Sequence, residues 1–244
     1  MFSQRFLRDK RGVKLMPPER AALEKAISEV RHVPARTTLM RAGHQIDEST
    51  LLVDGIMSRY IDDRNGLRQL VAIHVPGDFV DLHAFPLKVL EHDVATMTPC
   101  TVAVVPHAAL EVLLKDFPDM NRKLWFATLI DAAIHRAWLF RMGRLDALGK
   151  VAHFLCETNA RLVSAGLSDG RRFDLDLTQA DLAEICGLTS VHINRVMRQL
   201  RDEGLCAFRS SVVELFDPER LSARAQFNDA YLYNDKAANT VSVP

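Results

Sequence analysis

The chain has 244 residues, of which 48% are apolar, and carries 31 basic against 31 acidic side chains. That length allows one large or two modest domains, each able to bury a core. The charge balance excludes a protein that coats nucleic acid by charge alone, yet leaves room for sequence-specific binding through a few basic groups on one face.

Residues 1–11 contain no apolar run of signal-peptide length, and no stretch approaches a membrane span. A cytoplasmic location without a membrane partner is expected. From residue 33 to about 106 the chain reads as short strands. Branched apolar runs at 50–53, 70–73 and 100–105 are punctuated by Gly43, Gly55, Gly66 and Gly77, roughly eleven residues apart. Glycine supplies the positive φ that tight turns need, and so many breakers exclude one long helix.

The character changes after Pro106. Residues 108–114 predict a short helix that stops before Pro118, and 119 to about 144 predict a long one. Phe126, Ile130, Ala133, Ala137 and Phe140 recur at alternating spacings of four and three, a heptad-like seam suited to a partner helix. Leu124, Ala127, Ile134 and Trp138 form a second stripe beside it. Two stripes exceed what one contact needs, so a homodimer is expected, although a helix buried in its own domain would show similar periodicity. A further helix is expected over 147–164, a loop over 166–170, and a short strand where Phe173 and Leu175 alternate with polar residues.

The informative segment is 177–205. Thr178 with Asp181 three residues on forms a capping box with Asp in place of Glu, starting a helix over 179–186. Gly187 ends it, Thr189 caps a second helix from 190 to about 203, and Gly204 ends that one. Two helices joined so tightly cross steeply, as in a helix-turn-helix. Small Ala183 sits at the crossing, and Leu182, Ile185, Leu188, Ile193, Val196, Met197 and Leu200 supply the core.

Ser190, Val191, His192, Asn194, Arg195, Arg198 and Arg201 then face outward. Arg195 can fork onto guanine O6 and N7 in the major groove. His192, Asn194 and Ser190 can reach bases or phosphates, while Thr178 and Gln179 sit at a helix N-terminus that favours phosphate. Arg198 adds a phosphate contact, and Arg201, beside Asp202 and Glu203, reads as solvated. Residues 205–208 and 212–216 form a hairpin whose tip carries Arg209, Ser210 and Ser211, completing a winged helix-turn-helix. The expected DNA-binding set is Thr178, Gln179, Thr189, Ser190, Val191, His192, Asn194, Arg195, Arg198 and Arg209, with double-stranded DNA as partner. A protein–protein adaptor could use the same motif.

A glycine-punctuated β-roll, a pairing helix and a C-terminal winged helix-turn-helix, over about residues 15–221, resemble the Crp/Fnr family of bacterial regulators. Val75-Pro-Gly-Asp-Phe79 looks like the family's turn that opens the effector cassette, and residues 144–155 like its hinge and first DNA-domain helix. The resemblance implies an α+β chain: a β-roll sensor with an N-terminal helix over 1–118, a dimerisation helix over 119–144, a DNA-binding domain over 145–233 and a disordered tail over 234–244. It implies a homodimer on a palindrome, engaging RNA polymerase. Arg195 falls on the family's guanine-reading arginine. Val191 falls where many members carry a base-reading glutamate; valine can contact only a thymine methyl, so a shifted half-site is expected.

The resemblance also places an effector pocket around Gly77, Asp78, Phe79, Val80, Asp81, His83 and His92. Cyclic-nucleotide members have Gly-Glu and an Arg-Ser pair here. This chain has Gly77-Asp78, and residues 82–94 hold no Arg-Ser and only Lys88 as a fixed cation, which argues against a buried cyclic phosphate. An iron–sulfur cluster is disfavoured because no cysteine precedes Cys100. Cys100, Cys156, Cys186 and Cys206 form no C-x-x-C pair and read as reduced, mostly buried thiols. Asp78, Asp81, His83, Glu91, His92 and Asp93 crowd into sixteen residues. They could bind a divalent metal or sense pH, but a polar loop facing water explains them as simply, and no metal site is assigned. With no nucleophile elbow, phosphate-binding glycine loop or H-E-x-x-H, no catalytic residue is assigned. The competing function is a small-molecule sensor with degenerate DNA binding, for which binding would be sequence-blind and salt-sensitive.

Overall fold

The computed structural model describes residues 1–66 and 68–235. A 3-10 turn at Phe2–Arg5 leads into helix α1 (Pro17–Ala26). Seven strands follow: β1 (Glu29–Val33), β2 (Thr38–Met40), β3 (Glu48–Asp54), β4 (Met57–Asp62), β5 (Arg68–His74), β6 (Asp93–Thr96) and β7 (Cys100–Pro106). Strand structure thus begins four residues before Val33, because Glu29 to Val33 pair with β7. Two antiparallel sheets result, ordered β1-β7-β3 and β2-β6-β4-β5. Leu52, Met57, Val94 and Val102 fill the space between them, all buried. Burial of such side chains contributes about 2 kcal/mol each, which holds the roll closed.

Short helix α2 (Ala84–Leu87) lies between β5 and β6. After the roll come α3 (His107–Asp116), α4 (Asp119–Arg144) and α5 (Ala147–Ala165). Asp146 caps α5 by accepting from the Gly149 N–H at 2.7 Å, and Gly166 closes it in the left-handed region. The C-terminal part adds β8 (Arg172–Asp174), α6 (Gln179–Cys186), α7 (Ser190–Asp202), β9 (Cys206–Arg209), β10 (Val212–Leu215) and α8 (Pro218–Arg224). β8, β10 and β9 form one antiparallel sheet in that order. Helix α8 has no counterpart in the sequence expectations; Asp217, accepting from the Arg220 N–H, and Pro218 at its first turn are the signals that start it. Among the described residues no helix is long and apolar enough to cross a membrane.

The two halves of the chain share a core. Tyr60, Leu70, Ile73, Val75, Ala95 and Met97 of the roll pack in one cluster with Ile130 and Trp138 of α4 and with the buried face of α5 to α7. This packing corrects the predicted pairing seam. Ile130 and Ala133 are buried within the chain, and the Phe126 ring stands edge-on to Tyr233 with centroids 5.7 Å apart. Ala137 is half-buried, and of the predicted seam only Phe140 is exposed. The open stripe is offset by one residue: Trp125 is 66% exposed, Leu129 48% and Leu139 74%. With Ala132 and Arg136 between them, these positions keep the four-three spacing of a helix-pairing face.

The predicted disordered tail is also corrected at its start. Asn234 bridges Lys10 in an antiparallel pair, its Oδ1 accepting from Lys10 Nζ at 2.6 Å. Residues 236–244 of that tail lie outside the described residues.

Candidate nucleic-acid interface

Local chemistry builds the helix-turn-helix. The Thr178 hydroxyl accepts from the Asp181 N–H, while the Asp181 carboxylate accepts from the Thr178 N–H at 2.7 Å and from its hydroxyl at 2.8 Å. Gly187, at φ 59°, supplies the left-handed turn. A Cβ there would also lie 2.6 Å from Met142 Cε, a flexible side-chain end that can move aside, so the left-handed turn is what calls for glycine. Thr189 caps α7 by accepting from the His192 N–H at 3.2 Å. Ile193, Val196 and Leu200 are buried beneath α7.

The opposite face of α7 is open. Ser190, Asn194, Arg195 and Arg198 are exposed, and Val191 is 81% exposed. Arg195 Nη2 lies 3.3 Å from His192 Nε2, the arginine's one side-chain contact among the described residues. Gln179, Asn194, Arg198, Arg201 and Arg209 line one groove between α6, α7 and the wing. Arg201, read as merely solvated from the sequence, reaches this groove while contacting Asp202 at 3.7 Å. The groove therefore gathers three guanidinium groups beside the open face of α7, an arrangement whose charge suits phosphate.

Three predicted contacts are partly committed elsewhere. The Thr178 hydroxyl is spent on its cap, as is Thr189 Oγ1, so α6 offers phosphate its backbone and Gln179 rather than the threonine side chain. At the wing tip Ser210 and Ser211 both adopt positive φ, the turn that matches strand twist in a two-residue hairpin. Ser211 Oγ donates to Asp176 Oδ1 at 2.9 Å and braces the tip.

Of the predicted effector residues, Gly77, Asp78, Phe79 and His83 line one cavity, whereas Val80, Asp81 and His92 do not. Asp81 is fully buried under β3, where its Oδ1 accepts from the Thr50 N–H at 2.7 Å; burial pushes its pKa up to about 7. Val80 and Phe79 are buried in the roll. The His83 and His92 rings lie 35° apart in tilt with centroids 5.3 Å apart, and burial lowers both, His83 to about 3. Asp93 turns away to accept from the Ala42 N–H and pairs with Arg41. Among the described residues no three His, Cys, Asp or Glu side chains gather as a metal site. The polar crowding thus serves several separate structural contacts.

Asp78 does something the sequence did not announce. Its carboxylate meets Arg161 of α5 at 2.5 Å and accepts from the Val75 N–H at 3.0 Å. Despite burial, the Arg161 charge and the His74 contact hold its pKa far below the ordinary carboxylate range. Arg59 of β4 donates to Asp131 of α4 at 2.6 Å. Arg36, between β1 and β2, pairs with Asp181 of α6. The β-roll and the C-terminal half are therefore joined by ion pairs as well as by core. Deeper still, Arg141 is completely buried, with its guanidinium carbon 3.9 Å from the Trp138 ring centroid and Nη2 donating to the Ile185 carbonyl at 3.2 Å.

Comparisons with known proteins agree with this architecture. The family description "Crp-like helix-turn-helix domain" matches residues 149–224, and "Cyclic nucleotide-binding domain" matches residues 30–117. The transcriptional activator protein FnrL of Cereibacter sphaeroides is 27% identical over 192 residues, covering 78% of this chain and 76% of the relative. The nitrogen fixation regulation protein FixK of Bradyrhizobium diazoefficiens is 27% identical over 176 residues, covering 71% and 72% respectively. The solved structure of FixK2 from Bradyrhizobium japonicum has the same fold, with a TM-score of 0.72 at 22% identity, covering 80% of this chain and 96% of that one.

Proposed function

The chain belongs to the Crp/Fnr family of DNA-binding transcription regulators, and we propose that it acts in the cytoplasm as a homodimer on a palindromic operator. The observation that carries this reading is the open face of α7, where Arg195 stands beside a groove lined by Arg198, Arg201 and Arg209. In the dimer the α4 stripe of Trp125, Leu129 and Leu139 pairs with its copy, and each α7 enters a major groove about one helical turn from the other. Arg195 reads a guanine in each half-site. Val191 replaces a polar reader with an apolar side chain, so the neighbouring position favours a thymine methyl over cytosine. Val191, Asn194 and Arg195 carry sequence selection; Gln179, Ser190, Arg198 and Arg209 carry phosphate contacts.

The roll biases the dimer's affinity in response to an effector. A cyclic nucleotide is a poor fit, because residues 82–94 carry no Arg-Ser pair and Arg59, the guanidinium whose charge acts on His83 and His92, is already paired with Asp131. Contact with RNA polymerase follows from family membership.

Selection of bound sequences from a random DNA pool tests the proposal. The expected motif is a palindrome with one guanine per half-site, and Arg195→Ala relaxes preference at that guanine at a cost of about 1–3 kcal/mol per half-site. Unchanged preference in Arg195→Ala, or binding without any motif, overturns the assignment.

A further inference from the structure

A cavity of about 80 Å³ lies where four parts of the chain meet: the N-terminal segment, the Gly77 turn, α4 and α5. The N-terminal segment is seated there closely, since a Cβ on Gly77 would lie 2.9 Å from the Arg5 carbonyl oxygen. Ser164 Oγ on α5 donates to the Arg8 carbonyl at 2.9 Å and fixes the same segment to the DNA-binding half. The cavity has room for roughly five to eight water-sized volumes, which suits a ligand of about that many non-hydrogen atoms.

The lining is strongly unbalanced in charge. Arg59 and Arg161 face the cavity already paired, with Asp131 at 2.6 Å and Asp78 at 2.5 Å. Arg5 and Lys10 also line it, and their hydrogen-bond acceptors are neutral: the Val53 carbonyl for Arg5, and the Leu232 carbonyl and Asn234 Oδ1 for Lys10. Burial lowers Lys10 to about 8, which marks an ammonium poorly compensated by its surroundings. His74 lines the cavity too, and its buried Nε2 has no hydrogen-bond partner among the described residues. Two cations whose hydrogen-bond acceptors are neutral call for an acceptor-rich anion of charge about −2.

We propose that this cavity binds a small dianion, of phosphate or short dicarboxylate type, held by Arg5 and Lys10 with Arg161 as a third donor. The effector reading given above is thereby narrowed in chemistry, at a cavity that Gly77, Asp78, Phe79 and His83 of the predicted pocket line. Its donors come from the N-terminal segment and the DNA-binding half rather than from the cassette loop, so occupancy ties both to the sensor. The regulatory consequence rests on that reading; the binding itself does not.

The test measures the thermal unfolding midpoint of the full chain, without DNA, in sodium phosphate, sodium succinate and sodium chloride at equal ionic strength. The expected result is a midpoint that rises with phosphate or succinate concentration and not with chloride; the more effective anion identifies the source. Lys10→Met and Arg5→Gln break no ion pair in this structure, so they separate site loss from misfolding. Each is expected to fold in chloride and to need at least tenfold more anion for the same rise. No rise beyond chloride, or an undiminished rise in both variants, overturns the site. Because DNA is absent, failure here leaves operator binding standing, and failure of operator binding leaves this result standing.

Discussion

Arg36 donates two hydrogen bonds, of 2.6 and 2.7 Å, to the two carboxylate oxygens of Asp181, a residue 145 positions away that also closes the capping box of α6. One carboxylate thus serves the local start of the helix-turn-helix and its attachment to the sensor. The two roles separate by mutation. Arg36 is half-exposed, so the ion pair contributes about 1 kcal/mol or less. Asp181→Ala removes the pair and the acceptor for the Thr178 N–H together, costing about 2 kcal/mol, or roughly 4–8 °C in melting temperature for a chain of this size. Arg36→Ala is expected to cost less than half of that. In a double-mutant cycle, Arg36→Ala adds nothing to Asp181→Ala; a full additive loss would show that the pair is energetically idle.

The offset stripe on α4 separates assembly from folding. Leu129→Asp and Leu139→Asp place charge on an open face, and both are expected to give folded monomers by sedimentation with at least tenfold weaker operator binding. Ile130→Ala removes a buried side chain from the core shared by the two halves. It is expected to lower stability by about 2–4 kcal/mol while leaving the dimer in place. Monomers from Ile130→Ala and dimers from Leu139→Asp would reverse the assignment of the two stripes.

Acid should destabilise the protein well above the carboxylate range. Burial lowers His74 and His153 to about 4 and His83 to about 3, against 6.5 when solvated. The unfolded chain therefore takes up protons that the folded chain refuses, and stability falls as pH drops from about 6.5 towards 4. Asp81, raised by burial to about 7 from 3.8, acts in the opposite sense, losing stability as pH rises through that interval. Three histidines outweigh one aspartate. For His153 alone the limit is on the order of 3 kcal/mol. Urea midpoints at pH 7, 6 and 5 should decline, and His153→Phe, which keeps a ring between Phe227 and Tyr231, should flatten the decline. A flat profile in the unmodified chain defeats this account.

All four cysteines are buried and free. Burial pushes Cys156 and Cys206 up to about 12 and Cys186 to about 11, and raises Cys100 as well. Thiolate is the reactive form, so the native chain at pH 8 is expected to react with none of its thiols at the rate of a free cysteine, and with all four once denatured. One fast native thiol would reopen a redox role.

The DNA-binding half was readable because its signals are local. Thr178, Asp181, Gly187 and Thr189 act on residues three or four positions away, and the apolar period of α7 reports its own buried face. The roll was readable as a rhythm of strands and turns, though its first strand was not, since Glu29 to Val33 become a strand only by pairing with β7. Which α4 stripe stays open depends on what covers the other; Tyr233 reaches Phe126 from the far end of the chain. The same limit hid Arg161 and Arg36, whose partners lie 83 and 145 positions away. It also made buried Asp81 look like a loop ligand, because Thr50, whose amide it accepts, lies on a different strand. The offset stripe did leave a trace: Trp125, Leu129, Ala132 and Leu139 keep heptad spacing and are as apolar as the stripe beside them.

Arg141 sets how motion can pass through the molecule. Its guanidinium is clasped by Trp138 below and reaches the Ile185 carbonyl at the end of α6, while Met142 fills the space beside Gly187. The last turn of α4 thereby touches both α6 and the turn that follows it. At 1.5 Å per residue, the 26 residues of α4 form a rod about 39 Å long. Tilting such a rod by about 10° sweeps its tip through roughly 7 Å, about two base-pair steps. In the proposed dimer, small changes in how two such rods cross would be amplified into the distance between the two α7 helices, a lever acting on operator spacing.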